Sequence, residues 1–421
     1  MKAKAGKFNA DLKWNAASFA LSAVFGVLLN VVIVRWYDAA ALGVFNLVYA
    51  VYIMLSQVAV GGVHLAIQAF VPRELAKGNR PDAYVTAAMV LATLTSLAVM
   101  AIAWLGRDLP GRWFESPQVS QAFPTVIWGL LLFSWNKVLL SYHNGARRMR
   151  LFALFQLMRA FFLFSGLVVM IRLDAGAAQL AQVLAWSELL LFLFLLPVSL
   201  SFWRPHHRQG VRSAMKESFH FGNRALTGNF LLDINTRVDV FLLGVLMNER
   251  AVGLYSFAAT VAEGVLQLPV LFRNNINPVL TKAWSKGGGV LTGKVMQRAK
   301  HGMFKVLAPV MALSILLFPV ALWVLGMQDD PWLVSGVFAL LVSGALLVAG
   351  RLPFYMLFSQ LGFPGRQTFF VSCGFLMNVI LNLLFIPVLG IAGAALATGL
   401  ATLLTMALHR WLAFRYAGIR Y

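Results

Sequence analysis

Apolar runs long enough to cross a bilayer follow one another almost without pause along this chain. They lie at roughly residues 14–34, 44–70, 83–105, 122–142, 151–171, 179–200, 222–247, 251–272, 304–326, 332–357, 367–387 and 391–412. A crossing helix needs about 20 mostly apolar residues, so the pattern predicts an all-α polytopic membrane protein of twelve transmembrane helices. Hydrophobic residues are 60% of the 421 and charged residues 12%, about half the charged share of a soluble domain. The N-terminal MKAKAGKFNADLKW leads into a full-length span rather than a short apolar region with a cleavage site, so it reads as retained. A single cysteine, Cys373, lies in an apolar run and offers neither an intrachain disulfide nor a cysteine metal site.

The net charge of +20 raises the question of nucleic acid, and the placement of the 35 basic residues answers it. With the N-terminus inside, 24 of them fall in cytoplasmic segments: Lys2, Lys4, Lys7 and Lys13, the loops VPRELAKGNRPDA, HNGARRMR and SFWRPHHRQGVRSAMKES, the segment 278–305, Arg366 and the C-terminus. The opposite side holds five: Arg35, Arg107, Arg112, Arg172 and Arg250. This bias predicts cytoplasmic termini and ascribes the charge to topology and anionic headgroups, not to nucleic acid.

The chain also repeats itself. ALGVFNLVYAV at 41–51 returns 210 residues later as AVGLYSFAATV at 251–261, and Asn46, Gln57 and His64 then correspond to Ser256, Gln267 and Asn274. Both series follow helical spacing, the second as Ser256, Thr260, Glu263, Gln267 and Asn274. Two six-helix bundles in parallel repeat around a central cavity are the simplest account, with residues 1–205 as the first and 206–421 as the second. The 273–303 segment reads as a basic amphipathic helix on the inner leaflet.

Charges at mid-span are the specific signal, because an Arg or Asp at a bilayer centre costs about 2.5–3.5 kcal/mol on insertion scales. The stretch NFLLDINTRVDVFLLGVLMNERAVGLY, 229–255, carries Asp233, Arg237 and Asp239. Asp233 and Arg237, four apart, share a helix face with Asn229, Thr236 and Gly244, and Asp239 points nearly the opposite way. Lys137, Arg159, Glu188, Glu263 and Arg351 complete the set, while Arg224 and Arg273 sit close enough to a boundary to snorkel. Interhelical neutralisation accounts for any one of them; as a set from both halves they point to a shared polar interior. Asn378 and Asn382, an i, i+4 pair, fit either a lining or interhelical glue.

Other motifs carry less. Gly288-x-x-x-x-Gly293-Lys294-Val295 has valine where a phosphate loop needs Ser or Thr for magnesium. His206 and His207 lack a spaced third ligand, so no metal is assigned. Asp329 and Asp330 before Pro331 read as a helix-capping turn.

The run NTRVDVFLLGVL followed by NERAVGLYSFAATV, with Asn277-Pro278 ending the next helix, resembles the polysaccharide-transport branch of the multidrug/oligosaccharidyl-lipid/polysaccharide exporter superfamily, in particular Wzx-type O-antigen flippases. The resemblance implies a non-enzymatic protein of the bacterial inner membrane that moves an undecaprenyl-pyrophosphate-linked oligosaccharide from the cytoplasmic to the periplasmic leaflet by alternating access. Polymerase and chain-length proteins of the same pathway would be its partners. Lipid II flippases of the superfamily usually have fourteen spans and arginines in the first, whereas this first span offers Asn15, Ser18, Ser22, Gly26 and Asn30. On this reading Arg237, Arg159, Lys137 and Arg351 contact substrate, and Asp233, Asp239, Glu263 and Glu188 are coupling or charge partners. Asn46, Gln57, Gln267, Asn378 and Asn382 supply polar lining. No cofactor is expected, and coupling to a proton or sodium is left open. A multidrug or cation antiporter of the same fold is the alternative; a lipid-linked glycosyltransferase or polymerase would need a larger external loop than GRDLPGRWFESPQVSQ.

Overall fold

The computed structural model describes residues 2–205, 210–326 and 329–421, without the side chains of 2–13, 16 and 225–229. His206, His207 and the side chains of Lys2, Lys4, Lys7, Lys13 and Asn229, all invoked above, lie outside the described residues. Those described form helices and no strand, as the apolar patterning requires. The chain divides into two compact units, one of residues 1–37 and 44–234, the other of 38–43 and 235–421.

The first unit contains α1 (Lys2–Trp36), most of α2 (Ala39–Val60), α3 (Val63–Ala76), α4 (Asp82–Leu105), the short α5 (Leu109–Trp113) and α6 (Pro117–Ala122), α7 (Gly129–Gly145), α8 (Met149–Arg172), α9 (Val183–Leu200) and nearly all of α10 (Val211–Asn235). The second predicted span is broken into α2 and α3 at Gly61 and Gly62, whose φ of 60° and 70° only glycine adopts cheaply. A side chain at Gly62 would also place Cβ 2.4 Å from the Gly222 carbonyl oxygen, so the break is where α10 crosses at backbone contact. Beyond it Arg73 donates to Glu217 at 3.1 Å, and Tyr84 donates to the same carboxylate at 2.6 Å. These bonds hold the Glu217 carboxyl below its ordinary range and pin the start of α10 to α3 and α4. The fourth span is bent by 52° between Pro117–Val126 and Gly129–Gly145.

The second unit contains the segment Asp38–Gly43, α11 (Val238–Leu246), α12 (Glu249–Val324), α13 (Pro331–Leu347), the short α14 (Leu357–Gln360) and α15 (Pro364–Ala417). Here the 210-residue offset becomes visible as geometry. Asp38 accepts from the Ala41 N–H at 2.7 Å, and Asn248, 210 residues on, accepts from Ala251 N–H at 2.9 Å. A Cβ on Gly43 would stand 1.8 Å from the Glu249 carbonyl oxygen, and one on Gly253 1.7 Å from that of Ala39. Ala39 and Glu249 are themselves equivalent under that offset, so the crossing is reciprocal: each glycine admits the other segment's backbone.

Among the described residues seven helices are long and apolar enough to cross a membrane, or up to eight with the bent fourth span. Two of these are too long for one passage. The 76 residues of α12 would extend roughly 110 Å and the 54 of α15 roughly 80 Å, against a hydrocarbon core of about 30 Å. Each is kinked, α12 at Gly287–Gly288 and α15 at Gly390, and so holds two of the apolar runs. The 273–303 segment is therefore not a separate surface helix. It continues the flanking passages, interrupted only by the glycine pair. The stretch that imitates a phosphate-binding motif is helical from Gly289 and packs closely: a Cβ on Gly289 would lie 2.1 Å from the Ala417 carbonyl oxygen. Asp330 does stand at the N-cap of α13, but its side chain makes no cap bond and pairs with Arg250 at 2.8 Å.

Candidate functional site

In the first unit the interior charges gather around α7. Lys137 and Arg159 both face the ring of buried Phe133, their charged atoms 5.6 and 4.8 Å from its centroid. Placing two cations at one aromatic ring favours an anion between or beside them, unless acids already satisfy both. Their acids differ. Arg159 donates to Glu188 at 2.9 Å, and the Glu188 side chain is 5% exposed. Asn136, fully buried, donates 2.8 Å bonds to both the Glu188 carboxylate and its carbonyl oxygen. That triad closes around the Glu188 carboxylate, while Arg159 Nε and Asn136 Oδ1 are buried without a hydrogen-bond partner among the described residues. Lys137 instead donates to Gln57 and stands 3.8 Å from Asp233, whose side chain is 46% exposed. At that distance the pair is a weak contact with a solvated acid, one that an incoming anion can replace at small cost.

The same distinction recurs in the second unit. Arg237 lies at the break between α10 and α11, where Thr236 and Arg237 form a turn, so the continuous face expected for Asp233 and Arg237 is interrupted. Arg237 donates to Glu263 at 3.5 Å, and that acid is 43% exposed. Asp239 is the closed counterpart: it is buried and accepts from the Tyr255 hydroxyl and the Val240 N–H. Gln267, one turn beyond Glu263, is exposed, which carries the polar stripe of the eighth span onward.

The asparagines behave as ties. Asn378 donates to Asn235 at 3.3 Å, and Asn382, fully buried, donates to Asn378 at 2.9 Å. Asn46, Gln57 and His64 are all buried, His64 beyond the Gly61–Gly62 break. Arg351 sits past α13 at the start of a short turn, within electrostatic reach of Lys300. Among described residues no group of three His, Cys, Asp or Glu is placed to hold a metal ion. Sequence reasoning overlooked Asn136 and Tyr255. Neither is charged, and only the burial of the acids they satisfy reveals them.

An all-helical chain with several helices long and apolar enough to cross a membrane, and with charges set among them in each of two units, has the architecture of a polytopic membrane protein. Its fold is shared with transporters of the multidrug/oligosaccharidyl-lipid/polysaccharide (MOP) superfamily. A multidrug resistance MATE family transporter of that superfamily in an inward-facing conformation superposes with a TM-score of 0.78 at 12% identity, covering 94% of each chain. The lipid II flippase MurJ, in an inward closed conformation, gives 0.73 at 15% identity over 94% of this chain and 86% of that one. A MOP superfamily transporter from Pyrococcus furiosus gives 0.65 at 12% identity over 96% and 95%. No curated protein matches the sequence significantly. The family model described as polysaccharide biosynthesis protein matches residues 32–329, and this chain belongs to that family.

Proposed function

We propose that this protein is a flippase that moves an undecaprenyl-pyrophosphate-linked oligosaccharide, an O-antigen or related repeat unit, from the cytoplasmic to the periplasmic leaflet of a bacterial inner membrane by alternating access. The observation that carries the reading is the contrast within each unit between a closed charge and an open one. Arg159 and Asp239 are tied into buried networks, whereas Lys137 and Arg237 face half-exposed acids at 3.8 and 3.5 Å. A pyrophosphate requires cations held out of bulk water yet free to exchange partners, and these two fit. Arg159 then positions Phe133 and Lys137 rather than meeting substrate, and Arg351 serves the cytoplasmic side. Outward movement of an anion from a negative interior is favoured by about 2.3 kcal/mol per charge per 100 mV, so the membrane potential can contribute without a coupled cation.

The direct test is reconstitution. Proteoliposomes containing the purified protein are given a fluorescent polyprenyl-pyrophosphate oligosaccharide in one leaflet, and its appearance in the other is followed by a membrane-impermeant quencher or lectin. Transfer above empty vesicles is expected. Movement of an organic cation in its place, with no transfer of glycan, would make the protein a drug antiporter of this fold.

Orientation is tested separately. In a Cys373→Ser background, single cysteines at Gly210 and Gly288 are expected to react with impermeant reagent from the cytoplasmic side and one at Gln118 from the periplasmic side. The opposite pattern would reverse the direction of transport.

A further inference from the structure

We propose that a crevice in the first unit, between the end of α3 and the α7–α8 turn, is a loading site for the phosphate end of a polyprenyl-phosphate lipid, a role that rests on the transport reading above. The crevice has a volume of about 520 Å³, and its lining includes Gln68, Leu75, Asn144, Arg147 and Met149. Apolar groups form most of its wall; Gln68 is polar on the α3 side, and Asn144 and Arg147 lie at the turn. A chain with a hydrocarbon body and one anionic end matches that division.

The chemistry at the turn favours an anion. Arg147 is exposed, and it holds φ at +56°, a left-handed conformation that Asn or Gly would adopt at lower cost. Arg148, the N-cap of the 24-residue α8, makes no side-chain cap bond to the first-turn amides. Its guanidinium instead stacks 3.7 Å from the Phe202 ring centroid, and its Nη1 is buried without a hydrogen-bond partner among the described residues. No acid lies in the crevice lining, and Arg147 is the one charged side chain there.

The position of the crevice selects the lipid. Lys137, Ser141 and Asn144 recur at helical spacing on one face of α7, and Asn144 lines the crevice. Gln68, also in its lining, donates to Ser141 at 3.2 Å, one turn from Lys137. Lys137 and Asn144 are about 10 Å apart along the axis. A phosphate held at Arg147 thus lies at the foot of the helix face that bears the cation assigned to transport, which a bulk phospholipid would have no reason to occupy selectively.

The test uses Arg147→Asn, because asparagine suits the left-handed backbone and removes the charge without endangering the fold. Full-length protein in nanodiscs is titrated with undecaprenyl phosphate, phosphatidylglycerol and inorganic phosphate, with binding read by native mass spectrometry. A photoreactive undecaprenyl phosphate locates the site. Wild type is expected to crosslink at Leu75 or Met149, and Arg147→Asn to lose that crosslink and weaken undecaprenyl phosphate binding about tenfold or more. The variant's unfolding temperature should stay level or rise, and its phosphatidylglycerol binding should not change. Unaltered crosslinking or affinity would overturn the assignment, as would an equal loss for phosphatidylglycerol or binding of inorganic phosphate as tight as that of the lipid. Because the readout is equilibrium binding rather than movement, any of these results leaves glycan transport standing. Conversely, a protein that binds at Arg147 and moves no glycan fails the transport reading alone.

Discussion

Arg159→Ala is expected to deplete the protein from the membrane rather than merely slow it. Removing the guanidinium leaves the Glu188 carboxylate buried with the Asn136 amide donating to it, and it strips a cation from the Phe133 ring. Breaking one side of a buried pair typically costs about 3–5 kcal/mol, a large part of the whole stability of a typical protein. Neutralising both sides should recover most of it. Arg159→Met/Glu188→Gln keeps the volume near both sites and leaves an amide oxygen to accept from Asn136, so abundance and unfolding temperature should return towards wild type. Membrane-fraction immunoblots and thermal unfolding in detergent measure this. A double variant that is abundant but unable to transfer glycan would return Arg159 to the substrate contacts that the family resemblance implies.

Much of this organisation is legible in the sequence because bilayer chemistry leaves few choices. A run such as 83–105 has the length and apolarity of a span, and α4 occupies Asp82–Leu105. The repeat is legible too, since Gly43 and Gly253 had to stay glycine for their reciprocal backbone contact, and the flanking residues kept the offset. What periodicity does not reveal is where a helix stops without a glycine or proline. Nothing in NTRVDV marks the turn at Thr236–Arg237, and reading through it put Arg237 on the Asp233 face, whereas the ion pairs formed are Arg237 with Glu263 and Asp233 with Lys137. Those partners are remote in sequence and no local rule selects them. The converse error arose at 273–303, where a basic, amphipathic composition implied an independent helix although only Gly287 and Gly288 interrupt α12.

Arg237→Ala makes the opposite forecast from Arg159→Ala: loss of transport at near-normal abundance. Its acid, Glu263, is 43% exposed and 3.5 Å away, so it can be hydrated when the guanidinium is removed, and the structural penalty should resemble that of an exposed pair, at most about 1 kcal/mol. A charge-assisted bond to pyrophosphate is worth about 1.5–3 kcal/mol, so substrate binding should weaken about tenfold to a hundredfold. Arg237→Lys should recover part of this, because an ammonium keeps the charge but cannot grip two oxygens as a fork. Glu263→Gln is the informative partner. If Glu263 only holds Arg237 until substrate arrives, freeing the guanidinium should leave binding unchanged or tighter; if Glu263 also carries a coupling charge, transfer should lose its dependence on pH or a cation gradient while binding persists. Affinity is read by titrating a fluorescent polyprenyl-pyrophosphate glycan, and transfer by the proteoliposome assay. Should Arg237→Ala/Glu263→Ala prove abundant and transfer glycan at the wild-type rate, the pair is a lock between α12 and the turn before α11, and Arg237 has no place in the binding site.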